Sequence, residues 1–257
     1  MAMHKIIPLT AKEQAELYPY EAPASSYVIE KGYVRLIETA QVPDLTGKTA
    51  VLSIGSNRAP QQLLRKFGDE AELIVTTALL KDCDVVHSAC FSYYGAVPCT
   101  AYPCQGTDIT LNAVWLTDAQ LQIMHDTEAV GIAYDYCQWN DGHIVIDVGD
   151  QPQAVFGYAT RLGYFANPQG LPYALSSLPA HNRQFDTLSQ QQARQWLRAQ
   201  LPVELQMADE ADFMIKIVAD KPFRLAVNEA LKLQAKQMPK GPWQIKQAVP
   251  VDAETYL

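Results

Sequence analysis

The sequence predicts a mixed α/β fold of the α+β kind, and three observations predict it. Short apolar or alternating runs, the pattern of strands, concentrate between residues 49 and about 163. Helix-start signals dominate after them. Hydrophobic residues make up 48% of the 257, enough for one large core with appendages. On this reading residues 1–48 are an N-terminal extension, 49–165 the core, and 166–257 a helical C-terminal part.

The elements follow in order. Pro19, Pro23, Pro43 and the Ser25–Ser26 pair break the first segment into short pieces, with a helix over Ala11–Leu17 and a strand over Val34–Ile37. Thr49–Ser53 reads as a buried strand running into Ile54, Gly55, Ser56 and Asn57. Pro60 suits the first turn of a helix, where its missing N–H has no partner to lose, and the helix Gln61–Phe67 stops at Gly68. Leu73–Leu80, Val85–Tyr94, Thr100–Tyr102 and Ile109–Trp115 read as strands. Thr117 and Gln120 form a capping box, with Leu116 and Leu121 as a hydrophobic staple, and Gly131 reads as the stop of that helix. Tyr134–Trp139 alternates, Asn140-Asp141-Gly142 is a hairpin signal, and His143–Val148 is the returning strand. Ala154–Gly163 is a further strand, and Pro168, Gly170 and Pro172 mark a loop. Ser189 with Gln192 opens a helix over Gln190–Gln200; Phe213–Val218 and Leu225–Lys236 read as helical too.

Composition excludes several classes. The formal net charge of -8 repels a polyanion, so no nucleic-acid partner is expected; Arg58, Arg65 and Lys66, the nearest approach to a basic cluster, read as a solvated helix face. No apolar run reaches the length of a membrane span, no N-terminal stretch reads as a signal peptide, and a cytoplasmic location is the expectation. The five cysteines, Cys83, Cys90, Cys99, Cys104 and Cys137, lack both a disulfide framework and zinc-ligand spacing and read as buried thiols. Ser56 has no His and acid at a recognisable spacing, so a hydrolase triad is unsupported.

The helix after Thr117 carries the candidate chemistry. Glu128 lies seven residues after Leu121 and four after Met124, on the apolar stripe. A carboxylate there needs a raised pKa or a bound partner, and a carboxyl group at a pocket wall is what general acid–base chemistry uses. Periodicity alone leaves a second placement open, a solvent-facing edge of the last turn. Gly55-Ser56-Asn57, at a strand-to-helix turn, offers backbone N–H groups to an anion or a developing oxyanion, and equally suits an ordinary turn. His125, one turn before Glu128, is placed to tune it, whereas His87, His143 and His181 are scattered. Tyr134, Tyr136 and Trp139 read as pocket lining or core.

Together these pieces resemble a known family. The stretch from Ala50 to Asn57 resembles the Tyr-Gly-Ser-Asn loop that opens γ-glutamylcyclotransferase-like domains, and Asn112 to Glu128 resembles the strand and helix that end in that family's catalytic Glu. Tyr134 follows about where the family has a Tyr, and Pro98–Pro103 resembles the region before the strand. The resemblance covers roughly residues 49–163. It implies a small mixed β-barrel flanked by helices, with a pocket at the barrel mouth. It implies Glu128 as the acid/base, and Ile54, Gly55, Ser56, Asn57 and Tyr134 around a small, amino-acid-like substrate. The implied reaction cyclises a γ-glutamyl group, releasing an amine and 5-oxoproline. The resemblance implies no metal or organic cofactor. Two departures bear on substrate: the family Tyr before Gly-Ser-Asn is Ile54, and the common Leu after it is Arg58. The same fold also suits a non-catalytic binding module, or hydrolysis or decarboxylation of another small carboxylated amide. A closed pocket lined by Glu128 with the Gly55–Asn57 amides opposite favours the enzyme; a pocket filled by side chains favours the module.

Overall fold

A computed structural model describes residues 3–38, 43–147, 149 and 151–246. In chain order its elements are β1 (His4–Lys5), α1 (Ala11–Glu16), β2 (Tyr27–Glu30), β3 (Tyr33–Leu36), β4 (Thr49–Ser53), α2 (Pro60–Phe67), β5 (Glu72–Leu80), β6 (Cys83–His87), β7 (Cys99–Pro103) and β8 (Asp108–Leu116). There follow α3 (Asp118–Thr127), β9 (Tyr134–Trp139), β10 (Ile144–Ile146), β11 (Val155–Thr160), β12 (Ala174–Leu175), β13 (Ala180–His181), β14 (Thr187–Leu188), α4 (Gln190–Ala199), α5 (Glu210–Ala219), α6 (Lys221–Lys232) and β15 (Trp243–Ile245). The class is mixed α/β. Among the described residues no helix is long and apolar enough to cross a membrane.

Helix starts follow local chemistry. Thr10 with Glu13, Thr117 with Gln120 and Ser189 with Gln192 all form complete capping boxes, each satisfying N–H groups that a first turn leaves open. Pro60 sits at the start of α2, and Gly68, at φ 83°, ends it.

The strands form two sheets. The larger runs β1-β3-β2-β5-β8-β4-β11-β9-β15, with β10 also on β5 and β13 also on β8; the smaller runs β14-β12-β6-β7. In the large sheet only β4 and β11 pair in parallel, Ala50 opposite Val155; its other described pairs are antiparallel. The hydrogen-bonded path ends at β1 and β15 and does not return on itself, so the described strands form an open sheet and not the small closed barrel implied by the resemblance. The segment before residue 49 takes part directly: Tyr27–Glu30 pairs with Glu72–Val75 of β5.

Two readings of local sequence are corrected. The strand read over Val85–Tyr94 ends at His87, because Ser92 and Gly95 close a turn that leads Ala89–Tyr94 out of the sheet. Tyr134–Trp139 and the strand after Asn140-Asp141-Gly142 do not pair as a hairpin: β10 joins β5, while β9 lies between β11 and β15. The short apolar run of β10 completes the second half of a nine-residue strand whose first half is taken by β2. Val148, the expected end of that strand, lies outside the described residues.

Alternation along β8 divides the core. Leu111, Ala113 and Trp115 enter one apolar cluster, and Val114 and Leu116 enter another on the opposite face. Phe91, Phe213, Val227 and Leu231 centre a third cluster, where α5 and α6 meet the loop between β6 and β7.

Candidate functional site

β4 delivers the chain into a short 3-10 turn at Ser56–Arg58. Arg58 N donates to Gly55 O at 3.3 Å and Ala59 N to Ser56 O at 2.9 Å, which folds the loop back before α2 begins. Gly55 is fixed by space. A Cβ there would meet the Tyr18 hydroxyl head-on and lie 3.2 Å from Cys99 Sγ. The Tyr18 hydroxyl is itself held, accepting from Cys99 N at 3.0 Å.

Glu128 is the C-cap residue of α3 and lies just beyond its last full turn. The helix ends in a Schellman arrangement: Val130 N donates to His125 O and Ala129 N to Asp126 O, each at 3.3 Å. The left-handed position is Ala129, at φ 49°, and not Gly131, the stop read from the sequence. Alanine in that conformation costs about 1 kcal/mol and more, so the packing around this fully buried residue must impose it.

The carboxylate of Glu128 retains 14% exposure and has two donors. Asn57 Nδ2 donates to Oε1 at 2.9 Å, and the Lys66 ammonium pairs with the same oxygen. Oε2 takes no hydrogen bond from a described residue. Of the two remedies open to a half-buried carboxylate, the structure supplies the bound partner. Lys66 is the residue that the sequence reading missed: it was expected on a solvated helix face, and its side chain is 2% exposed, with Nζ 3.5 Å from Met124 Sδ. Burial pushes the Lys66 pKa down and Glu128 opposes the shift. No local signal in the sequence marks it, because its partner lies 62 residues away.

Ile54, Gly55, Ser56, Asn57, Glu128 and Tyr134 all line one cavity of about 390 Å³. That volume lies in the range of small-molecule sites. Tyr18, Tyr94 and Tyr158 also face it. Burial pushes the Tyr94 and Tyr134 hydroxyls well above the ordinary tyrosine value, with Glu128 adding to both, so both are neutral hydrogen-bonding groups. Burial likewise raises the thiols of Cys90 and Cys99 on the cavity wall, each to about 12, which keeps them protonated. All five cysteines are free and buried. Asn57 Oδ1 is buried and has no hydrogen-bond partner, an acceptor left open at the wall.

Neither a protein-family model nor a curated protein matches this chain. The solution structure of At5g39720.1 from Arabidopsis thaliana is similar to it at 17% identity, over 50% of this chain and 77% of that one, with a TM-score of 0.36. A likeness of that size carries no argument about the site.

The remaining candidates fall elsewhere. His125 Nδ1 lies 2.9 Å from the Tyr158 hydroxyl and its ring stands edge-on to Tyr136, so it braces the wall from behind. Tyr136 and Trp139 belong to the two apolar clusters of the large sheet. Arg58 turns away from the cavity, donating from Nε to Asn112 Oδ1 at 3.0 Å. No histidine lines the cavity. Among the described residues no group of three or more His, Cys, Asp or Glu side chains is placed to hold a metal ion.

The far wall comes from a part of the chain that the sequence reading left without a role. Arg224, Leu225, Asn228, Glu229 and Lys232 of α6 line the cavity opposite the loop after β4. Asn228 accepts from Phe91 N at 2.8 Å and donates to Phe91 O at 2.9 Å, which ties α6 to the loop between β6 and β7.

Proposed function

We propose that this chain is an acid/base enzyme of the γ-glutamylcyclotransferase-like kind, acting on a γ-glutamyl conjugate of an amine. One observation carries the reading: Glu128, with one oxygen held and the other free, shares an open cavity with the Gly55-Ser56-Asn57 loop. A filled pocket would have favoured a binding module.

The chemistry follows from these positions. The substrate's α-ammonium sits against Glu128 Oε2. Oε2 removes one proton, and the freed amine attacks the γ-carbonyl carbon within the same molecule. Holding nucleophile and carbonyl together supplies much of the acceleration, so one well-placed base suffices. Negative charge developing on the carbonyl oxygen is met by N–H groups of the loop, which Gly55 allows to approach closely. The proton on Oε2 passes to the leaving nitrogen as the C–N bond breaks, and the ring nitrogen, which still carries two hydrogens, gives one of them to the released amine, so the products are 5-oxoproline and an ammonium. Glu128 ends as it began. Ile54 supplies apolar wall where the family has a tyrosine hydroxyl, so recognition of the glutamyl group falls more heavily on the loop and on Tyr134.

The test is direct. The purified protein, incubated with a panel of γ-glutamyl amino acids and γ-glutamyl amines, should release 5-oxoproline and the matching amine, both followed by mass spectrometry. Glu128→Gln should lower the rate by roughly 100-fold or more, the scale of a lost acid/base group. Equal rates from both proteins would remove Glu128 from the mechanism. Release of amine without 5-oxoproline would point to hydrolysis on the same scaffold, and no release from any substrate would overturn the proposal.

A further inference from the structure

We propose that Lys66 is the positioning residue of this site: with Asn57 it fixes Oε1 of Glu128, and so turns Oε2, the oxygen that exchanges the proton, toward the cavity. The inference rests on the cyclotransfer reading above and adds a residue that the resemblance does not supply.

The geometry is specific. Two donors from different elements, Asn57 in the 3-10 turn and Lys66 on α2, converge on one oxygen of a carboxylate held by a third element, α3. Both lone-pair directions of Oε1 are thereby used, while Oε2 has none of its own filled by a described residue. A glutamate carboxylate otherwise rotates broadly about its last torsion. Pinning one oxygen removes that freedom before substrate arrives. The Lys66 ammonium also lies 3.5 Å from Met124 Sδ, and the burial of the lysine side chain keeps the pair from solvent and strengthens it.

Lys66 is the cation paired with Glu128. Arg65 on α2, and Arg224, Glu229 and Lys232 on α6, also line the cavity, and the Arg65 guanidinium stands 5.6 Å from the centre of the Tyr93 ring. Tyr94, Tyr134 and Tyr158 face Glu128 from the loop, β9 and β11, and Cys99 from β7; burial holds all four in their neutral forms. On α3 itself His125 is turned to Tyr158 and Asp126 is exposed. The proton balance leaves Lys66 unchanged: Oε2 takes a proton from the α-ammonium and returns it to the leaving amine, while Lys66 keeps its own.

The experiment compares Lys66→Met and Lys66→Arg with the wild type, with the best substrate from the panel. Lys66→Met should lower kcat about 10- to 100-fold with KM little changed. Lys66→Arg should restore part of the rate. A kcat unchanged in Lys66→Met, or a loss with no rescue by arginine, would overturn the assignment. A second readout needs no turnover. Lys66→Met leaves a half-buried carboxylate with Asn57 alone, so the double variant Lys66→Met, Glu128→Gln should unfold at higher urea than Lys66→Met. If the wild type releases no 5-oxoproline, the cyclotransfer reading fails on its own, and this comparison still decides the pair: additive single effects would sink it.

Discussion

Replacing Gly55 with alanine puts a methyl group where the Tyr18 hydroxyl and Cys99 Sγ already sit. Either the tyrosine or the loop must move. Gly55→Ala should therefore cost about 1–3 kcal/mol in urea unfolding, the usual scale of overpacking, and should depress any turnover measured alongside. Removing the hydroxyl relieves the clash, so Gly55→Ala with Tyr18→Phe should lose less stability than the two single changes added together. Additive losses would mean that the loop yields and the tyrosine does not. At this scale the sequence marked positions and left their use open. Glu128 stood out because a carboxylate on an apolar stripe is unusual, though a solvent-facing helix end fitted too, and Gly55 because it stood at a strand-to-helix turn that also suits an ordinary turn. Lys66 was not legible. A lysine near the end of a helix is ordinarily solvated or serves the last carbonyls, and nothing in the local pattern marks one whose partner is 62 residues away.

Among the elements, α6 has a role set by one side chain. Asn228 closes both hydrogen bonds of the Phe91 peptide groups, and this holds the cavity-lining loop against the helix. Asn228→Ala should cost about 1–3 kcal/mol. The Phe91 amide should exchange with solvent much faster in the variant, while amides in the middle of β8 keep their protection. Exchange that rises equally everywhere would show a general loss of stability and no local clamp. The helices after Thr117 and Ser189 were legible from their caps, because a capping box is a local device and needs no distant partner; α6, read over Leu225–Lys236 without a cap, starts earlier, at Lys221, and ends at Lys232. The strands were less so. Tyr27–Glu30 was missed because its first three residues are all buried and show no alternation. The Asn140-Asp141-Gly142 turn exists without its hairpin, since a turn fixes direction and not pairing: His143 N reaches Asn140 O, yet the strands on either side find other neighbours.

The whole molecule is held by pairings between parts distant in sequence, and its response to acid follows from one of them. His87, at the end of β6, lies with Nε2 3.1 Å from Leu188 O in β14, while Nδ1 has no partner. Burial pushes its pKa down from 6.5 to about 4. The folded chain therefore resists a proton that the unfolded chain accepts. The stabilisation is complete above pH 6.5 and is lost as the pH falls toward 4, by about 3 kcal/mol at most. His87→Leu should flatten that part of the stability curve; an unchanged slope would place the acid sensitivity elsewhere. Long-range pairing is also what the sequence could not disclose. It showed strands and helices but not that residues 27–30 would lie against β5 or that residues 243–245 would border β9. The cavity inherits this arrangement, since its walls run from Tyr18 to Lys232. A chain still being synthesised will thus have made Glu128, Asn57 and Lys66 long before α6 emerges to close the far side. From the synthesis of Glu128 to that of Lys232 the carboxylate faces an unfinished chamber, completed only when α6 is made.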